Sequence, residues 1–97
     1  MKADYLSGDE LDLAAGKRAG LDVVKSKSGV VYRSGHTFCP TMYWEQCGPI
    51  IAREGISIFP SGKCWGAQGL VRRIYHGDTP LIAAMRCYVG ETEEQSK

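Results

Sequence analysis

The chain has 97 residues, 43% hydrophobic and 24% charged, and twelve Lys and Arg against eleven Asp and Glu give a formal charge of +1. That length supports one core and not two, and that composition excludes a disordered chain. The charge balance argues against a dedicated duplex-DNA binder, and the apolar runs are too short for a bilayer-spanning helix.

The start, Met1-Lys2-Ala3-Asp4-Tyr5, has no apolar signal-peptide core, so the expectation is a chain that stays in a reducing cytoplasm. Ser7 to Glu10 reads as a capping box, with Leu6 and Leu11 at the positions of a hydrophobic staple. Leu11, Ala14, Ala15 and Ala19 follow at helical spacing, and Gly20 is a natural stop. Residues 21–25 and 29–33 read as two strands joined by a Lys/Ser/Gly turn, with 36–38 as a further brief strand. Thr41 can cap a turn or short helix carrying Trp44, with Cys47 on the same face. Gly48-Pro49 should break that helix and start a second segment, 50–54, which Gly55 ends.

Ile56-Ser57-Ile58 alternates as a strand, Pro60-Ser61-Gly62 supplies turn chemistry, and 63–68 returns as the hairpin partner. Residues 70–75 are ambiguous between strand and loop. Thr79 then caps a helix whose first position is Pro80, with Leu81, Ile82, Ala84, Met85, Tyr88 and Val89 on one broad face and Gly90 as the stop. The expectation is therefore an α+β fold. It is a single small domain over 1–90, an antiparallel sheet of about four to five strands packed with two to three helices. Residues 91–97 form a polar tail, expected to be disordered.

Cys39, Cys47, Cys64 and Cys87 form no Cys-x-x-Cys pair, and only His36 and Cys39 are near-paired as zinc ligands. Free thiols, no metal and no cofactor are the expectation. Cys47 could act as a nucleophile only with a histidine beside it, and no known spacing links it to His36 or His76. No Gly-rich phosphate loop and no carboxylate pair stand out, so no enzyme is expected.

Trp44 with Gly48-Pro49-Ile50-Ile51, and Thr79 to Arg86, together resemble the NinX-like proteins of bacteriophages. That family implies an αββαββα-like arrangement and a temperate-phage origin, with no established activity. The chain departs from the family pattern at Cys47, usually Gly, and at Tyr43 and Ala52, where acids are common.

For binding, Trp44 and Trp65 can stack on a ligand or cover the small core. Arg72, Arg73, Tyr75 and His76 are the densest basic-aromatic group, suited to a phosphate, a nucleotide or an acidic protein surface, or else a solvated strand face. Arg86 in the apolar helix should snorkel or pair with Glu54. The functional expectation is a non-enzymatic phage binding protein in the host cytoplasm, acting in counter-defence or host takeover. Its partner would be a host protein or a small nucleotide-like ligand, with no membrane role. Homo-oligomerisation fits that reading, because small domains often build pockets at symmetric interfaces. Trp65, Arg72, Arg73 and Tyr75 are its leading contacts, and the alternative is a nucleic-acid-binding accessory factor in phage replication or recombination, which needs a basic face.

Overall fold

A computed structural model describes residues 6–70 and 73–95. The order is α1 (Gly8–Arg18), β1 (Val23–Ser26), β2 (Gly29–Tyr32), α2 (Trp44–Glu54), β3 (Ser57–Ser61), β4 (Cys64–Gln68), β5 (Ile74–Gly77) and α3 (Pro80–Gln95). This is the expected α+β domain, with its five strands divided into an antiparallel β1-β2 hairpin and an antiparallel sheet ordered β3-β4-β5.

The helix α3 lies between that sheet and the other two helices. Leu81, Ala83, Ala84, Met85, Cys87, Tyr88 and Val89 are all buried, so α3 is covered on several sides rather than along the single face expected. Its partners in the main core are Leu11 and Ala15 of α1, Cys47 and Ile50 of α2, Ile56, Ala67 and Tyr75. A second small core joins the hairpin to α1 through Val23, Val30 and Phe38. Gly16 makes that contact close: a side chain there would run into Val23 and Phe38.

Helix ends follow local chemistry, with three exceptions. At the end of α1 the Gly20 amide donates to the Lys17 carbonyl and the Leu21 amide to the Gly16 carbonyl, with Gly20 at φ 77, a Schellman arrangement. Gly55, at φ 67, ends α2 as expected. The Thr79 hydroxyl accepts from the Ile82 amide at 3.2 Å, which realises the expected cap of α3. Ser7 does stand at the α1 N-cap, but its side chain makes no capping hydrogen bond, so the expected capping box does not form.

Gly48-Pro49 does not break α2; one helix runs through both residues. The residue before a proline is pushed out of helical geometry partly by its own Cβ, which Gly48 lacks. Gly90 is not a stop either, and α3 continues to Gln95. The Tyr75 ring occupies the place of a Gly90 side chain, so this glycine serves a close approach and not a terminus. Glu91, placed by sequence in the tail, is buried, with its carboxylate against Gly69.

Smaller corrections concern the strands. Pro60 and Ser61 lie inside β3, an edge strand where proline is tolerated, and the turn is Gly62-Lys63. The brief strand expected at 36–38 reduces to a bridge between Val31 and Thr37.

Candidate functional site

Asp12 lies in the stripe of α1 that also carries Ala15 and Gly16, and it is 2% exposed. Its carboxylate is paid for by hydrogen bonds: it accepts from the Thr41 amide at 3.1 Å, the Thr41 hydroxyl at 3.2 Å and the Cys39 thiol at 3.1 Å. Burial, as the largest influence, still raises the Asp12 pKa above its ordinary value. From the other side, the Gln46 amide group of α2 accepts from the Cys39 amide and donates to the Thr37 carbonyl at 2.9 Å.

Residues 37–41 are thus clamped between α1 and α2. The chain then turns, with the Met42 and Tyr43 amides both donating to the Cys39 carbonyl at 3.0 Å, and enters α2 at Trp44. The result is an exposed apolar run: Met42 is 70%, Tyr43 44% and Trp44 57% exposed. Large apolar side chains held in water on a braced turn are the usual composition of a recognition surface.

Beside this run is a cleft of about 250 Å³ between the hairpin and α2. Tyr32 and Phe38, packed edge to face with centroids 5.4 Å apart, and Ile50 form its apolar walls. Glu45, Pro49 and Arg53 line it from one face of α2. A further groove of about 390 Å³ lies along α1, lined by Leu6, Glu10, Leu13, Ala14 and Lys17.

The residues chosen from sequence do not converge on one surface. Trp44 is exposed, contrary to a core role beneath the Gly-Pro turn, whereas Cys47, about one turn further along α2, is fully buried. Trp65 is half-buried and packs against the main core from β4. Arg72 falls outside the described residues. Arg73 is exposed and lies over the Tyr75 ring at 4.8 Å. Tyr75 itself is 1% exposed and belongs to the core, while the next residue of β5, His76, points outward. Strand alternation separates the two: Tyr75 pairs with Ala67 on the face under α3, His76 with Gly66 on the other.

Arg86 does not reach Glu54. Its guanidinium donates to the Leu6 carbonyl at 3.0 Å and the His76 carbonyl at 2.8 Å, tying α3 to the chain start and to β5. Glu54 instead faces Arg18 at 3.7 Å and Arg53 at 3.2 Å. Arg18 also donates to the Tyr88 carbonyl and covers the Tyr88 ring.

Burial pushes the Cys47 thiol up to about 12, so it is not a ready thiolate near neutral pH. Cys87 is likewise pushed up to about 12 by burial. Cys39 is raised by burial and then by its bond to Asp12. His36 bonds the Ser34 hydroxyl and not Cys39, and among the described residues no three His, Cys, Asp or Glu side chains converge as metal ligands. Among the described residues no helix is long and apolar enough to cross a membrane.

Sequence reasoning missed Asp12, Met42, Tyr43 and the cleft. A signal for Asp12 was present: it is the one acid in the small-residue stripe Asp12, Ala15, Gly16, Ala19. The cleft had none, since its walls come from segments far apart in the chain. Comparison with known families matches residues 3–91 to the family described as Bacteriophage P22, NinX. No curated protein matches the chain.

Proposed function

The chain belongs to the bacteriophage P22 NinX family, and from that premise we propose that it is a non-enzymatic binding protein that acts in the host cytoplasm during infection. It occludes a surface of a host protein, in counter-defence or host takeover. The observation that carries this reading is the exposed run Met42-Tyr43-Trp44 on a turn braced by Asp12 and Gln46. Leaving three such side chains in water has no benefit to the fold, whereas burying them against a partner returns their hydrophobic free energy. Bracing means little conformational entropy is lost on docking.

The test is capture of host protein from infected-cell lysate by the purified chain and its variants. A joint Met42→Ala and Trp44→Ala variant should lose a partner that the unaltered protein holds, with an unchanged melting temperature. An Arg73→Ala and His76→Ala variant should keep it. Equal capture by the Met42/Trp44 variant would sink the assignment. Loss in the Arg73/His76 variant alone would move the contact to β5, as the sequence reading had it.

A further inference from the structure

The cleft between the hairpin and α2 has opposite charges at its ends and an apolar middle. Glu45 and Arg53 are two turns apart on one face of α2, roughly 12 Å along the axis at 1.5 Å per residue. The Tyr32–Phe38 pair and Ile50 line the same cleft.

At the Glu45 end one acceptor is on offer, the side-chain carboxylate. Among the described residues the Glu45 carboxylate forms no ion pair. At the other end Arg53 donates to Glu54 at 3.2 Å and to the Tyr88 hydroxyl at 3.3 Å. Because Glu54 is shared with Arg18, two guanidinium groups face one carboxylate and a positive charge remains.

We propose that this cleft binds a nucleoside monophosphate whose base carries an exocyclic amine. The base packs against Tyr32 and Phe38 with its amine toward Glu45, and the phosphate meets Arg53. The dimensions exclude the neighbouring chemistries. A free amino acid without a charged side chain carries its charges one carbon apart and cannot reach both ends. Inorganic phosphate reaches only Arg53, and a purely apolar ligand meets neither charge. The volume is below the ~300–1,000 Å³ typical of drug-sized sites, which suits a mononucleotide and not a longer oligomer. None of the contacts invoked for the host-protein reading is needed, so either can fail without the other.

The test is a titration of the isotopically labelled full chain, followed by amide resonances, with cytidine monophosphate, uridine monophosphate and inorganic phosphate. The two nucleotides differ in an amine against a carbonyl at one ring position. Cytidine monophosphate should shift residues 45–53 with Tyr32 and Phe38, saturably, and uridine monophosphate should bind about tenfold more weakly because its carbonyl meets the Glu45 carboxylate. Arg53→Gln should weaken cytidine monophosphate several-fold without changing the melting temperature. The proposal is overturned by any of four results. These are no saturable shifts, shifts confined to another surface, phosphate alone reproducing them, or equal binding of the two nucleotides together with no effect of Arg53→Gln.

Discussion

The phenol ring of Tyr75 stands in the space that a side chain at Gly90 would occupy, closer to that position than van der Waals contact allows. Strand β5 and helix α3 are therefore locked together by a missing side chain. Gly90→Ala gains up to about 1 kcal/mol of helix propensity but forces the ring aside, and overpacking a core costs about 1–3 kcal/mol. The net expectation is a less stable protein. Each kcal/mol lost lowers the melting temperature of a domain this size by about 4–8 °C. Thermal denaturation checks it, and a more stable Gly90→Ala protein would refute the packing.

Asp12 holds the turn that presents Trp44. Asp12→Ala strands the buried Thr41 amide and hydroxyl, and should destabilise by about 2–3 kcal/mol in chemical denaturation. Asp12→Asn keeps an acceptor for the Thr41 amide and should lose less. Quenching of Trp44 fluorescence should change in the alanine variant, since its turn loses its anchor.

The same carboxylate predicts a pH dependence. Its pKa is raised in the fold, so between the ordinary value and the raised one the folded state binds more protons than the unfolded chain. This contribution to stability therefore falls as pH rises through that acid window and is level above it. Melting temperatures compared across the acid range should show the slope in the unaltered protein and its absence in Asp12→Asn. An identical profile in both would exclude the assignment.

Thiol labelling should follow burial. Cys47 and Cys87 are fully buried with pKa values near 12, so at pH 8 only about one in ten thousand would be thiolate. Mass spectrometry after alkylation of the native protein should find label first on the half-buried Cys64. Cys47 and Cys87 should be modified only after denaturation. Rapid native labelling of Cys47 would contradict the packing of α2.

Thr79→Ala removes the acceptor for the Ile82 amide and should cost about 1 kcal/mol, against a few tenths for Thr79→Gly. Equilibrium denaturation of the two variants checks the order as well as the size.

Where neighbouring residues set the outcome, the sequence could be read directly. The hairpin of β1 and β2, the Gly20 and Gly55 termini and the Thr79-Pro80 helix start all depend on contacts within a few residues. The α+β class and the family likewise follow from linear patterns. Two of the differences share one form. Gly48-Pro49 and Gly90 were read as punctuation, because glycine and proline usually are. Gly48 relieves the clash at Pro49 locally, whereas only packing shows that Gly90 makes room for Tyr75.

The candidate surface was less legible, for the same physical reason. The basic-aromatic string 72–76 looked like one cluster, but strand alternation sends Tyr75 into the core and His76 out. The cleft joins Tyr32, Phe38 and Arg53, which no local pattern connects. Sequence determined the kind of scaffold, since propensity, capping and period act over short stretches. Tertiary structure decided which side chains face water, because that depends on what distant segments bring to cover them.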